Sequence, residues 1–338
     1  MTTRERSTSV HDALTWRAMT LADVDTWFAL ARRIEEHDAS NERTGRAEMV
    51  EQFENTALDP TLDSIIGIDD DGVPRAYGWV ETNPAARTHH QAMLSGGVDP
   101  EWRRLGIGQT VLDWQIMRAR AALAAVAVDS ALPRRLVAHA EEHQTDRFAL
   151  LERARFTPER WFMQMRCSLS DEPAQPRPIF GIAIVPLRTG LSEALRQAHN
   201  EVFADHWGSQ PITEQRWAQY AAKETLRPEW SFLALDTAVP AEREPPIVGY
   251  AIGAAHEQDW APQGYTEGWT DVLGVVNSHR GRGIAEALLL SSMRAFREAG
   301  LQYAGLDVDT ENPTGAYGLY ARLGYEPQHR GAAFVLPV

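Results

Sequence analysis

The 338-residue chain holds one cysteine, Cys167, which excludes an internal disulfide. That cysteine lies between Met165-Arg166 and Ser168-Leu169, in what reads as a terminal strand, a poor setting for a nucleophile. No apolar run approaches the roughly 18 residues needed to cross a bilayer, and the polar opening Met1–Val10 has no signal-peptide core. The expected compartment is therefore the cytoplasm, with no membrane partner. Basic charge is also scarce. Lys and Arg number 33 against 47 Asp and Glu, a net charge of -14, whereas a nucleic-acid partner calls for a basic face. No cluster of metal-ligating residues is visible, so no metal is expected. What remains is an ordinary globular composition, 43% hydrophobic and 24% charged, in a chain long enough for two domains.

The organising stretch is Arg280-Gly281-Arg282-Gly283-Ile284-Ala285. It sits between the apolar run Val272-Leu273-Gly274-Val275-Val276 and the helical run Ala287–Leu290. This predicts a strand, a tight basic turn and a helix. Such a turn suits anion capture: glycines admit close approach of backbone N–H groups to a phosphate, and the helix presents its positive end. Arg280 and Arg282 add charge and donors. The spacing is neither that of a dinucleotide fold nor that of a P-loop. Further on come a strand, Leu306–Asp309, then Asn312-Pro313 and the run Ala316 to Tyr325 that contains Tyr317 and Tyr320.

The pattern R-x-x-G-x-A after a strand, followed by N…A-x-x-x-Y-x-x-x-G-[FY], resembles the two signatures of the GNAT N-acetyltransferase superfamily. The first signature recurs upstream as Arg103-Arg104-Leu105-Gly106-Ile107-Gly108. The clearest linker is Asp171–Pro178, with three prolines in six residues. After it the order restarts: Ile182–Leu187 answers Leu14–Met19, Phe232–Leu235 answers Ile65–Ile68, and Val248–Ala251 answers Tyr77–Val80. Within the first half, Leu62–Ile68 and Ala76–Val80 read as strands around the Asp70-Asp71-Gly72 turn. A unit of about 160 residues is thus duplicated. The expected fold is α/β, a mixed-sheet α+β arrangement, built as two tandem GNAT-like domains: 1–170, a linker at 171–178, and 179–338.

The resemblance implies acetyl-CoA as co-substrate, with no metal, and transfer of its acetyl group to a primary amine of a small molecule. Arg280–Ala285 would hold the pyrophosphate, with Asn312 and Tyr317 beside the cofactor and Arg103–Gly108 as the equivalent loop of the first half. A backbone N–H near Leu273-Gly274-Val275 would polarise the thioester, and Tyr320 would protonate the departing thiolate. The base is open between Asp271 and Glu267, which share a strand face with Trp269 and Leu273 if the strand is regular. His206 and Trp207, echoing His37-Asp38 of the first half, and Trp269 are candidates for the acceptor pocket. In the first half Leu151 stands opposite Tyr320, Leu94 opposite Asp271 and Arg155 opposite Gly324, so that half is expected to be catalytically degenerate. A degenerate first half before an active second is also similar to the mycothiol synthases, which acetylate a cysteinyl amine. A different class, a non-catalytic acetyl-CoA sensor or scaffold, stays open at this point, as does the oligomeric state.

Overall fold

The computed structural model describes residues 14–338 apart from 56–57, 84–85, 87, 127–130, 189, 205, 241–243 and 312–314. The expected cofactor residue Asn312 lies outside the described residues. The chain divides into two compact units, residues 1–160 with 331–338, and residues 161–330.

The first unit contains β1 (Thr15–Arg17), α1 (Val24–His37), α2 (Arg46–Glu54), α3 (Pro60–Asp63), β2 (Ser64–Ile68), β3 (Pro74–Thr82) and β4 (His90–Val98). It continues through α4 (Ile107–Val126), β5 (Arg134–Glu141) and α5 (Thr145–Arg153), and β6 (Thr157–Ser168) begins in it. Leu62 and Asp63, expected to open a strand, close a helical turn instead. Pro60 occupies its first position, and the Asp59 side chain caps it by accepting from the Thr61 N–H. The Asp70-Asp71-Gly72 turn joins β2 to β3 as expected, with Gly72 at φ +79°.

The second unit holds β7 (Ile182–Pro186), α6 (Glu193–Val202), α7 (Glu214–Ala221), β8 (Leu226–Asp236), β9 (Ile247–Ala254), α8 (Glu257–Gln263) and β10 (Glu267–Val275). Then come α9 (Ile284–Glu298), β11 (Tyr303–Asp309), α10 (Ala316–Arg322) and β12 (Glu326–Pro337), whose end belongs to the first unit.

The units repeat one plan. An antiparallel run of strands (β1-β2-β3-β4, and β7-β8-β9-β10) leads to a single parallel pair, β4 with β5 and β10 with β11. A long helix, α4 or α9, makes the crossover and packs on the sheet. Its apolar stripe in α9, Ile284, Leu288, Leu289, Met293 and Phe296, is buried.

The sixth strand of each unit comes from the other half of the sequence. β12 runs antiparallel to β5 from Gly331↔Glu141 to Pro337↔Arg135, and β6 pairs with β11 from Phe162↔Asp309 to Ser168↔Tyr303. Phe334 meets Phe148 edge-on at 4.8 Å, and Cys167 is buried with Met165 beside Leu306 and Tyr325. The division at the proline-rich segment therefore differs from the compact units by these two exchanged strands. Among the described residues no helix is long and apolar enough to cross a membrane.

Candidate active site

In the second unit the parallel pairing of β10 and β11 covers only Glu267↔Tyr303 to Trp269↔Gly305. Beyond Trp269 the β11-facing edge of β10 has no strand partner, and the two strands part. On its other edge β10 follows β9 continuously except for a register shift between Thr270 and Val272, a β-bulge at Asp271. The bulge corrects the expectation of a regular period of two. Trp269 and Val272 stand opposite Ala254 and Ile252, so they share a face, while Leu273, opposite Ala251, is turned to the other. Leu273 there packs against the buried cluster that contains Tyr320, Leu289 and Met293. Gly274 faces Tyr250 and Val202 so closely that a Cβ would lie 2.8 Å from the Val202 side chain.

Past the strand, Gly281 and Gly283 adopt φ +75° and +82°, values that favour glycine, with nothing within 4 Å of an added Cβ. The first bond of α9 is Ala287 N–H to the Gly283 carbonyl at 3.0 Å. The amides of Ile284, Ala285 and Glu286 thus have no helical acceptor and point out of the helix start. The arginines do not simply add charge. The Arg280 Nε donates to the Val275 carbonyl at 3.1 Å and an Nη to the Val202 carbonyl at 3.4 Å, so this side chain braces the loop against its own strand. Arg282 donates to the Phe180 carbonyl at 2.8 Å.

The loop of the first unit is the same device. Arg103 Nε donates to the Val98 carbonyl at 3.1 Å, and Gly106 has φ +85°. Arg104 occupies the place of Gly281 at φ +63°, a left-handed conformation for a side chain that disfavours it. Arg103 also forks onto Asp38 at 2.6 and 2.9 Å, Arg104 pairs with Asp146 at 2.5 Å, and Leu105 is largely exposed. Ile107 and Gly108 open α4. The chemical positions differ: Leu94 and Leu151 are buried apolar residues, and β4 pairs with β3 without a bulge from Ala76↔Val98 to Thr82↔Ala92.

Tyr320 is 7% exposed on α10, its ring 6.0 Å from that of Tyr325, and its hydroxyl makes no hydrogen bond among the described residues. Burial pushes its pKa up to about 12, so the phenol keeps its proton at any ordinary pH. Tyr317, on the same helix, is 40% exposed. Glu267 and Trp269 lie together over bare Gly305, where a Cβ would come 2.5–2.6 Å from the indole and the carboxyl carbon. Burial raises the Glu267 pKa to about 7, opposed by the Arg166 guanidinium and reinforced by Asp259. Trp269 meets His256 edge-on at 6.1 Å.

Asp271 on the bulge is exposed, and it accepts a hydrogen bond from the Tyr220 hydroxyl of α7 at 2.5 Å. Tyr220 is a residue that no motif marks. Its pKa is raised by burial first and then by the Asp271 charge. His206 and Trp207 follow α6: the His206 Nδ1 lies 3.0 Å from the Trp207 carbonyl, its ring is 5.4 Å from Phe203, and the Trp207 ring is 6.4 Å from Phe162. Neither makes a described contact with Glu267 or Tyr320.

The acetyltransferase (GNAT) family model matches residues 192–325. The mycothiol acetyltransferase of Gordonia bronchialis is 29% identical over 261 residues, 74% of this chain and 75% of the relative. A GCN5-related N-acetyltransferase from Sphaerobacter thermophilus superposes with a TM-score of 0.73 at 26% identity over 96% of both chains. A tandem GNAT protein from the clavulanic acid biosynthesis pathway shares the fold, with a TM-score of 0.66 at 15% identity over 96% of this chain and 98% of its own. A splayed, bulged strand feeding an open glycine turn lies where the family model matches, and the glycine turn is echoed upstream. The second unit carries a GNAT acetyltransferase domain, and the chain as a whole shares the fold of a tandem GNAT protein.

Proposed function

We propose that the second unit transfers the acetyl group of acetyl-CoA directly to a primary amine of a small molecule while both are bound. The observation that carries this reading is a buried phenol with an unengaged hydroxyl, Tyr320, packed in the same cluster as Leu273 at the splay of β10. The open amides at the start of α9 receive the pyrophosphate. Unpaired N–H groups of β10 around Leu273–Val275 polarise the thioester carbonyl. A preorganised donor of this kind contributes roughly 3 kcal/mol in other acyl transfers.

Glu267 is the preferred base. A carboxyl held at about 7 can take the proton of an ammonium and still be ionised near neutral pH, the compromise general-base work requires. Asp271 is exposed and engaged by Tyr220, and it serves better to fix the bulge. As the amine attacks and the C–S bond breaks, the electron pair leaves on sulfur and Tyr320 donates its proton there. Trp269, beside Glu267, offers an aromatic face to a cationic acceptor, and His206 and Trp207 border the same unit at the end of α6.

A cysteinyl amine is the acceptor favoured as a second reading, because the Gordonia relative is named a mycothiol acetyltransferase. The first unit is read as silent in catalysis, since Leu94 and Leu151 can neither take nor give a proton.

The test is acceptor-dependent release of CoA from a panel that includes a cysteinyl amine, an amino sugar and a polyamine, with wild type and Tyr320→Phe. Release by wild type, lost in Tyr320→Phe with acetyl-CoA affinity intact, supports the assignment. No release with any amine contradicts it and favours a non-catalytic sensor.

A further inference from the structure

The first unit encloses a cavity of about 450 Å³ between its glycine loop, β4 and α5. Its walls are largely apolar, with Ile34, Leu94, Leu112, Leu150 and Leu151 among them. Of the four arginines that line it, Arg103 and Arg104 are paired with Asp38 and Asp146 and Arg153 is exposed, which leaves Arg147. Arg147, from the first turn of α5, is half-buried and donates through Nη1 to the Gly96 carbonyl at 3.2 Å, while its Nε is buried without a partner. Gly96 lies beyond Leu94↔Ala138, the last pair joining β4 to β5, so the guanidinium sits at the opening of the two strands.

The nearest carboxylates are engaged elsewhere. Asp38 is held by both arms of Arg103, and Glu141 accepts from the Asn41 side chain with His143 at 3.7 Å. A five-donor cation is therefore served by one neutral acceptor in an apolar cleft, an arrangement that is unfavourable unless an anion completes it. The second unit has no arginine at the matching position. Aligning the two tyrosine-helix segments puts Ala316 opposite Arg147 and Tyr320 opposite Leu151. The first cleft has thus lost a proton donor and gained a positive charge.

We propose that this cleft is a carboxylate-binding site, in which Arg147 pairs with the acid group and the apolar walls enclose its hydrocarbon body. Two sources share that chemistry. One is a free amphiphilic acid; the other is a carboxylated acyl group on CoA, whose pyrophosphate would meet the loop Arg103–Gly108.

The experiment is calorimetric titration of the full chain, as wild type, Arg147→Met and Arg147→Lys, with octanoate, succinyl-CoA and acetyl-CoA. Saturable binding of octanoate or succinyl-CoA to wild type is expected, weakened about tenfold or more in Arg147→Met and largely retained in Arg147→Lys, as for a hydrogen bond to a charged group. A response to octanoate assigns the free acid; a response to succinyl-CoA alone assigns the thioester. Amine acetylation by the second unit should be unchanged in both variants, which reports an intact fold. The proposal is overturned if neither carboxylate binds in an Arg147-dependent way. It is equally overturned if acetyl-CoA loses as much affinity as succinyl-CoA in Arg147→Met.

Discussion

At the scale of single residues, burial moves two pKa values in directions that suit the proposed chemistry. Tyr320 is kept protonated and Glu267 is brought close to neutrality. Replacing Tyr320 by Phe removes the proposed acid and leaves the packing, so kcat should fall by about 10²–10⁴ with little change in acetyl-CoA affinity; steady-state kinetics and titration check both halves. Glu267→Gln should flatten the acidic limb of the pH–rate profile, which wild type should show near pH 7 because only the ionised carboxylate accepts a proton. The same shift has a stability sign. The folded-state value of about 7 lies above the ordinary 4.5, so the folded chain holds more protons than the unfolded chain between those limits, and stability falls as pH rises through them. Urea unfolding should therefore show Glu267→Gln gaining on wild type at pH 8 relative to pH 4.

At the scale of elements, the glycine turn and the bulge do different work. The turn was legible because its requirements are local. Gly281 and Gly283 need left-handed backbone, and the sequence pattern records that need directly. Since nothing lies within 4 Å of a Cβ added at either glycine, Gly281→Ala should cost about 1–2 kcal/mol through backbone strain alone and should weaken acetyl-CoA binding. Arg104→Gly should relieve the matching strain in the first unit; thermal unfolding reads both. The bulge was not legible. Its register is defined by β9, so nothing within Trp269–Leu273 announces that Leu273 faces away from Trp269. Tyr220 was hidden for a similar reason: its partner Asp271 is 51 positions away. No motif marks Arg147 either; only the opening of β4 from β5 places it in a cleft.

At the scale of the whole molecule, the duplication and the order of elements could be read from the repeat of Ile182–Leu187 after Leu14–Met19. The exchange of terminal strands could not. The segment around Cys167 reads as a terminal strand, but local pattern does not name the partner across a ladder. The consequence is a dependence between the halves of the sequence. Residues 1–178 alone lack the strand that pairs with β5 and the Phe334 ring against Phe148, leaving an open edge. That fragment should aggregate or unfold without cooperativity, while co-expression with 179–338 should restore a cooperative transition. Independent, cooperative unfolding of 1–178 at the temperature of the intact chain would contradict this.

The claim on which the catalytic account rests is that the turn after β10 aims a thioester at one phenol. A crystal structure of the protein with CoA bound examines it directly. The account predicts pyrophosphate on the amides at the start of α9 and the CoA sulfur within hydrogen-bonding reach of the Tyr320 hydroxyl. Cofactor bound away from that turn, or a Tyr320 hydroxyl directed away from the sulfur, would contradict it.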